Sequence, residues 1–381
     1  MQYCSLIIVD FQTHSIGGHF KTWLNRSLIE SLKYYKNISL YVADDFSRAD
    51  DCVLRSGNSS AISTFLIPDI YSEKECVGDI LSVICRHACK KNRIFHDAPV
   101  FVMWAQQYLE RNLIYPPLNS WLPWRRVKHF NRPWGSIASV SGVRFDSATA
   151  HPAERAVHNL VQAEVGCRGV FLWDYFSVQK FPNKYIYLPN VEEISEAPEW
   201  KMPMDRPPKV GSVGQLWGYR CVNLLAELLR FEGEIEGYLA GVAKPESYSE
   251  EASQMLRNPK AFEFEEGFVE KDCELNNRLK KLDAFLVDGR SYKCPSGLGI
   301  RAMAMGRPLV SPDSPSWAAS LIREYGVGVF WEPGKGTLAA DLRSWFDSGG
   351  SKRAVAVAQQ LNDKEGLESA YVKMFERLSG V

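Results

Sequence analysis

Residues 295–334, PSGLGIRAMAMGRPLVSPDSPSWAASLIREYGVGVFWEPG, decide the fold. A run of small residues, Ser296, Gly297 and Gly299, opens a short helical stretch that Gly306 closes. RPLVSP (307–312) then reads as a buried strand, Ser316 to Tyr325 as a helix, and GVGVFWEP as another strand. Helix and strand alternate at short spacing, which is the rhythm of a parallel sheet covered by helices. The apolar Met303 and Met305 are read as core packing.

The same rhythm extends outward in both directions. Toward the N-terminus come the strand DAFLVD (283–288), a helix over 273–282, strands AFEFEEGF and IEGYLAG, a helix from Arg220 to Phe231, and the strand and turn KVGSVGQL (209–216). Toward the C-terminus everything from Thr337 is helical in period. Residues 192–208, EEISEAPEWKMPMDRPP, are acidic and proline-rich and read as a linker. Before it lies a second α/β half. Ser5 to Val9 is a strand, Phe20 to Tyr35 a helix, and ISLYVADD a strand. FLIPDI is a candidate strand, Glu73 to Lys91 a helix, PVFVMW a strand, and 152–165 a helix. GVFLW and KYIYLPN close this half as strands. Residues 111–145 break the pattern; YPPLNSWLPWRRVKHFNRPWGS is rich in Pro, Trp and Arg and reads as a long irregular excursion. The expected architecture is α/β, two Rossmann-like domains with a cleft between them. Ligands bind outside the carboxyl ends of the strands in such sheets.

Composition narrows the function. The 381 residues fit two domains. Lys plus Arg and Asp plus Glu are 45 each, so the electrostatic footprint of nucleic-acid binding is missing. The nine cysteines are scattered with no CxxC pair; Cys85 and Cys89 flank His87 but no second ligand pair follows. Reduced thiols are expected, hence a cytoplasmic protein. MQYCSLIIVD reads as a strand rather than a signal peptide, and no apolar run reaches membrane-spanning length.

Four local patterns sit at strand ends. Gly17 and Gly18 stand between the first strand and a helix headed by His19. Asn190 closes the last strand of the first half. Gly214 and Gln215 end a strand, and Arg220 heads the next helix. Ser296, Gly297, Leu298 and Gly299 open a helix that carries Arg301. Glycines allow close backbone approach to a ligand, helix N-termini present free N–H groups, and guanidinium pairs with phosphate. The third and fourth patterns therefore form a candidate diphosphate site. His19 and Asp10 are the candidate catalytic residues, with His129 and His151 as alternatives for a general base. Glu266 and Gly267, at another strand end, join Gly17, Gly18 and Asn190 as candidates for contacting sugar. Trp121, Trp124, Arg125 and Arg126 lead an aromatic-basic stretch, with Lys128, His129, Arg132 and Trp134, suited to an acceptor glycan or an anionic membrane surface.

The order of these motifs resembles the GT-B glycosyltransferases, in particular the bacterial retaining enzymes with a "group 1" C-terminal domain. The resemblance is strongest over 209–334. GSVGQL with Arg220 resembles their phosphate strand and turn; FEEGFV and LKKLDAFLV resemble two following strands. AMAMGRPLVSPDSPSWAASLIREYGVGVFWEPG is similar to their longest motif. SIGGHFKTWLNRSL and YIYLPN resemble the Gly-Gly helix start and last strand end of their first domain. The departures are local. The family's paired glutamates are absent, and Arg301 stands near the second of them. Gln215 stands where an arginine is usual, Arg220 is one residue closer than the family's lysine, and no Gly follows Asn190.

The resemblance implies a metal-independent transferase without a resident cofactor. It would move a sugar from a UDP- or GDP-sugar to a glycan or lipid-linked acceptor in surface polysaccharide or glycoconjugate synthesis. It further implies an acceptor-side domain over 1–195, a donor domain over 209–360, and a last helix, 361–381, packing back on the first domain. The enzyme would sit in the cytoplasm, with peripheral contact at the inner face of the membrane. The competing readings are a non-catalytic GT-B homologue that binds a partner and a nucleotide-sugar epimerase on the same fold.

Overall fold

Strands that are buried on both faces read as unbroken apolar runs, and the first strand shows it: Leu6, Ile7, Ile8 and Val9 are all 0 % exposed. The structure, a computed structural model, describes residues 3–10, 19–42, 61–66, 84–85, 87–89, 98–103, 133–138, 166–173, 178–179, 182–183, 185–189, 200, 202–203, 205–257, 262–267, 272–290 and 295–380. The chain divides into two units, residues 1–188 with 365–381, and residues 189–364.

In the first unit β1 (Tyr3–Asp10), α1 (His19–Leu32), β2 (Tyr35–Val42), β3 (Ile62–Leu66), β4 (Val100–Val102), β5 (Trp134–Ala138), β6 (Cys167–Leu172) and β7 (Tyr185–Tyr187) follow in chain order. The seven strands form one parallel sheet in the order β3-β2-β1-β4-β5-β6-β7. The chain lays β2 and β3 on one side of β1 and β4 to β7 on the other, which makes the carboxyl ends of β1 and β4 the switch point of this sheet.

β5 corrects the reading of 111–145 as wholly irregular. WGSIA lacks an apolar run because its small residues are demanded by what covers them. A Cβ on Gly135 would lie 2.7 Å from Met374 Sδ, and Ser136 Oγ donates to the Val102 carbonyl at 2.7 Å. Trp134, counted above with the aromatic-basic stretch, is a core side chain, 4 % exposed.

In the second unit β8 (Lys209–Trp217) runs into a π-helical turn (Gly218–Val222) and α2 (Asn223–Phe231). Then come β9 (Glu236–Lys244), a 3-10 turn (Pro245–Ser247), α3 (Glu250–Arg257), β10 (Phe262–Glu266), α4 (Asp272–Lys280) and β11 (Ala284–Leu286). α5 (Gly297–Ala304), β12 (Leu309–Ser311), α6 (Trp317–Tyr325), β13 (Gly328–Phe330), α7 (Leu338–Asp347) and α8 (Gly350–Leu361) complete it. The six strands are parallel in the order β10-β9-β8-β11-β12-β13, with the switch point between β8 and β11. Leu224, Leu225 and Leu228 of α2 are spaced to one helical face and pack with Val210, Leu216 and Leu239 of the sheet and Trp331. β10 is an edge strand, and Glu263 and Glu265 on it pair with Lys209 and Lys281; charged edges discourage strand addition.

α9 (Lys364–Ser379) belongs to the first unit. Leu367, Ala370, Tyr371, Met374, Phe375 and Leu378 are its buried residues, at the i, i+3, i+4 spacing of one face. Tyr371 Oη lies 3.0 Å from Ser27 Oγ, Tyr35 Oη lies 2.9 Å from Ser379 Oγ, and Phe375 contacts the rings of Tyr34, Tyr35 and Phe101. Among the described residues no helix is long and apolar enough to cross a membrane.

Candidate functional site

The carboxyl end of β8 is shaped by glycine. Gly214 has φ +109 and its register partner on β9, Gly241, has φ +143. A Cβ on Gly241 would also collide with the Gly214 backbone, so Gly241 requires glycine on two grounds and Gly214 through its positive φ. Gly267 continues the row onto β10, donating its N–H to Gly241 O at 3.0 Å. The Arg278 guanidinium in turn donates to Gly267 O at 3.1 Å.

Beyond Gly214 the chain enters the π-helical turn, where the Asn223 N–H reaches back to Gly218 O. Arg220 was expected to head an α-helix; it lies inside this turn instead. One extra residue per turn is accommodated because both ends of the turn are held from outside. Gly218 N–H donates to Ser247 Oγ at 2.8 Å, and Arg220 O accepts from Asp288 N–H at 2.7 Å. Asp288 follows β11, so this bond ties the β8 turn to the next strand across the switch point.

The third wall is the start of α5. Ser296 is its N-cap, and its Oγ accepts from Gly299 N–H at 3.1 Å. Gly297 and Leu298 occupy the first two helical positions, whose N–H groups have no intrahelical acceptor. Leu298 Cδ1 lies 2.7 Å from where a Gly214 Cβ would be, so the two glycine-rich segments touch. Gly214 thus meets Leu298 at one switch point, with Gln215 and Arg220 following on the β8 side and Ser296, Gly297 and Gly299 flanking Leu298 at the helix start. Arg301, by contrast, is 8 % exposed and is enclosed in the body of α5; Met303 and Met305 are core. Gln215 is exposed and accepts the indole N–H of Trp217 at 3.1 Å.

Glu266 ends β10 beside Gly241, its register partner, and is exposed. In the first unit Asp10 ends β1 at that sheet's switch point and is 0 % exposed. His19 is the first residue of α1. Gly17, Gly18, Asn190, Trp121, Trp124, Arg125, Arg126, His129 and His151 lie outside the described residues.

Sequence reasoning missed Gly241, Trp217 and Lys244. Gly241 was visible only as a glycine late in a strand. Trp217 falls just past the strand and turn read over 209–216, yet its position two residues after Gln215 puts both side chains on one face of β8.

No protein-family model matches the chain, and no curated protein matches it. Solved structures do match in shape. HepE of Anabaena, in complex with UDP and glucose, is 16 % identical with a TM-score of 0.62, over 99 % of this chain and 100 % of that one. The lipopolysaccharide outer core galactosyltransferase WaaB, in its apo form, is 12 % identical with a TM-score of 0.60 over 99 % of each chain. Sucrose-phosphate synthase from Thermosynechococcus elongatus is 12 % identical with a TM-score of 0.59 over the whole of both chains. With two parallel sheets of seven and six strands and this likeness along its whole length, the chain has the GT-B fold, two Rossmann-like domains.

Proposed function

We propose that the chain is a glycosyltransferase that takes a sugar from a UDP-sugar, with a GDP-sugar as the second choice of donor, and passes it to a glycan or lipid-linked acceptor. One observation carries this reading: the glycine-shaped β8 turn and the capped start of α5 meet at the switch point of the second sheet. Sugar-nucleotide chemistry needs a place where the leaving diphosphate gains negative charge without water to stabilise it. The free N–H groups of Gly297 and Leu298, the positive end of α5 and the Arg220 guanidinium supply that stabilisation, so no metal is required. Gln215 lies beside them as a hydrogen-bonding partner, and Ser296 and Gly299 hold the helix start in shape. Arg301 acts from inside α5 as a fixed positive charge. Glu266, Gly267 and Asn190 are assigned to the sugar hydroxyls, Asp10 and His19 to the catalytic end of the first domain, with Gly17 and Gly18 shaping its loop. The binding of UDP and glucose by HepE favours the uridine donor. Trp121, Trp124, Arg125 and Arg126 are assigned to the acceptor or to a membrane surface.

The buried Cys221 thiol, pushed up to about 12 by burial, is inert as a nucleophile and suits a reducing cytoplasm. Arg220→Ala is the direct test of the site. Losing one charged hydrogen-bond partner should weaken UDP binding by about 1.5–3 kcal/mol in calorimetric titration. Unchanged UDP affinity in that variant sinks the assignment. UDP binding without any sugar transfer would instead mark a non-catalytic homologue.

A further inference from the structure

We propose that Trp217, Tyr219 and Lys244 form a shelf for a pyranose ring that carries an acidic group, next to the β8 turn. Trp217 and Lys244 are register partners at the carboxyl ends of β8 and β9. The Lys244 ammonium lies 5.4 Å from the Trp217 ring centre and makes no ion pair among the described residues. The Trp217 and Tyr219 rings are 5.6 Å apart and tilted by 35°. Tyr219 is 40 % exposed, one of few large apolar side chains turned to solvent among the described residues.

The shelf is rigidly built. Trp217 is oriented by its indole N–H, which donates to Gln215 Oε1. Tyr248 Oη accepts from Lys244 N–H at 2.9 Å and donates to Leu216 O at 2.8 Å, pinning the two strand ends together. Ser247 Oγ donates to Lys244 O at 2.7 Å and accepts from Gly218 N–H. The hydroxyls of Ser247 and Tyr248 are spent on holding the frame, and what is left outward is two aromatic rings with a cation beside each, the Lys244 ammonium at Trp217 and the Arg220 guanidinium 5.9 Å from the Tyr219 ring centre.

The occupant follows from that remainder. The faces of aromatic rings are negative and attract the weakly positive C–H edge of a pyranose. The two rings are splayed, so they fit a puckered ring better than a flat base, which prefers a parallel partner. An ammonium without a carboxylate calls for an anion, and a uracil or guanine is neutral. The acid is a carboxylate, as on a uronic acid, or a phosphate, as on a sugar phosphate. Only the shelf's place in a transfer reaction rests on the function proposed above.

The test uses the full chain. Glucuronate, glucose 6-phosphate and glucose are titrated by calorimetry, each with and without saturating UDP, and UDP is titrated separately. Either acidic sugar should bind about ten- to a hundredfold more tightly than glucose, the scale of one charged hydrogen bond. Lys244→Met should bring both acids to the level of glucose and leave UDP affinity unchanged. Trp217→Leu should weaken all three sugars. Equal binding of acidic and neutral sugars, or no effect of Lys244→Met, overturns the shelf whether or not UDP binds. So does a Trp217→Leu protein that loses UDP but keeps inorganic pyrophosphate, because the shelf then serves the base. Absence of UDP binding strikes the donor reading alone.

Discussion

Glu232 is 4 % exposed, and its carboxylate has two partners. Trp331 donates its indole N–H to Oε1 at 3.0 Å, and the first amide of α7, Leu338 N–H, donates to Oε2 at 3.2 Å. A negative charge at a helix N-terminus is favourable, and burial removes the competing water. Glu232 therefore fastens the strand end near Trp331 to α7 from a residue about a hundred positions earlier in sequence. Glu232→Ala leaves both donors buried without an acceptor. It should cost about 2–3 kcal/mol in urea unfolding, and Glu232→Gln, which keeps an acceptor oxygen, about 1 kcal/mol. Equal midpoints for all three proteins would show that the carboxylate is not holding α7. Arg307 is held in another way. Its guanidinium stacks 3.4 Å from the Trp200 ring centre and donates to Met305 O and Lys280 O. Burial opposes its charge and lowers its pKa to about 10, so the ring and the carbonyls must compensate for lost hydration.

Elements were legible where one period ran unbroken. The continuous apolar strands β1 and β11 and the helices of the C-terminal stretch stand where the sequence places them, because burial on both faces of a parallel sheet writes itself as an apolar run. β5 was illegible, since its Gly135 and Ser136 are set by the close approach of Met374 and the Val102 carbonyl and not by a strand-forming pattern. The π-helical turn was illegible for a related reason: the bonds that create it come from Ser247 and Asp288, far along the chain. In the same way the glycines and Arg220 of the candidate site could be read as a set, whereas the Trp217–Lys244 pairing needed the register of two strands. The docking of α9 is a further long-range feature. Phe375 is 0 % exposed among the rings of Tyr34 in the turn before β2, Tyr35 of β2 and Phe101 of β4. Phe375→Ala should destabilise the first unit by about 3–5 kcal/mol through lost burial and the cavity left behind. Hydrogen exchange followed by peptide mass spectrometry would show faster exchange in β1, β2 and β4, with α2 and α5 unchanged. Equal acceleration in both units would mean that α9 is not a private element of the first.

At the scale of the molecule, the chain leaves the first unit after residue 188 and returns to it at residue 365. The second unit is thus inserted into the first, with its own sheet and its own core. Cores of this kind can open independently, because stability is distributed over cooperative units and not spread evenly. A ligand stabilises only the states that bind it, by RT ln(1 + [L]/Kd), about 2.7 kcal/mol at a hundredfold excess over Kd. If the diphosphate site is the β8 turn and the start of α5, all its contacts lie in the second unit. UDP at that excess should therefore slow exchange about a hundredfold in amides of β8, β9, β11 and α5 that exchange through opening of that unit. Peptides of β1, β2 and α9 should keep their rates. Protection confined to the first unit would place the nucleotide on the wrong sheet and remove the donor site argued above. Protection of the second unit alone, cut by about tenfold or more in Arg220→Ala, would locate the donor by a measurement that depends neither on the identity of the acceptor nor on turnover.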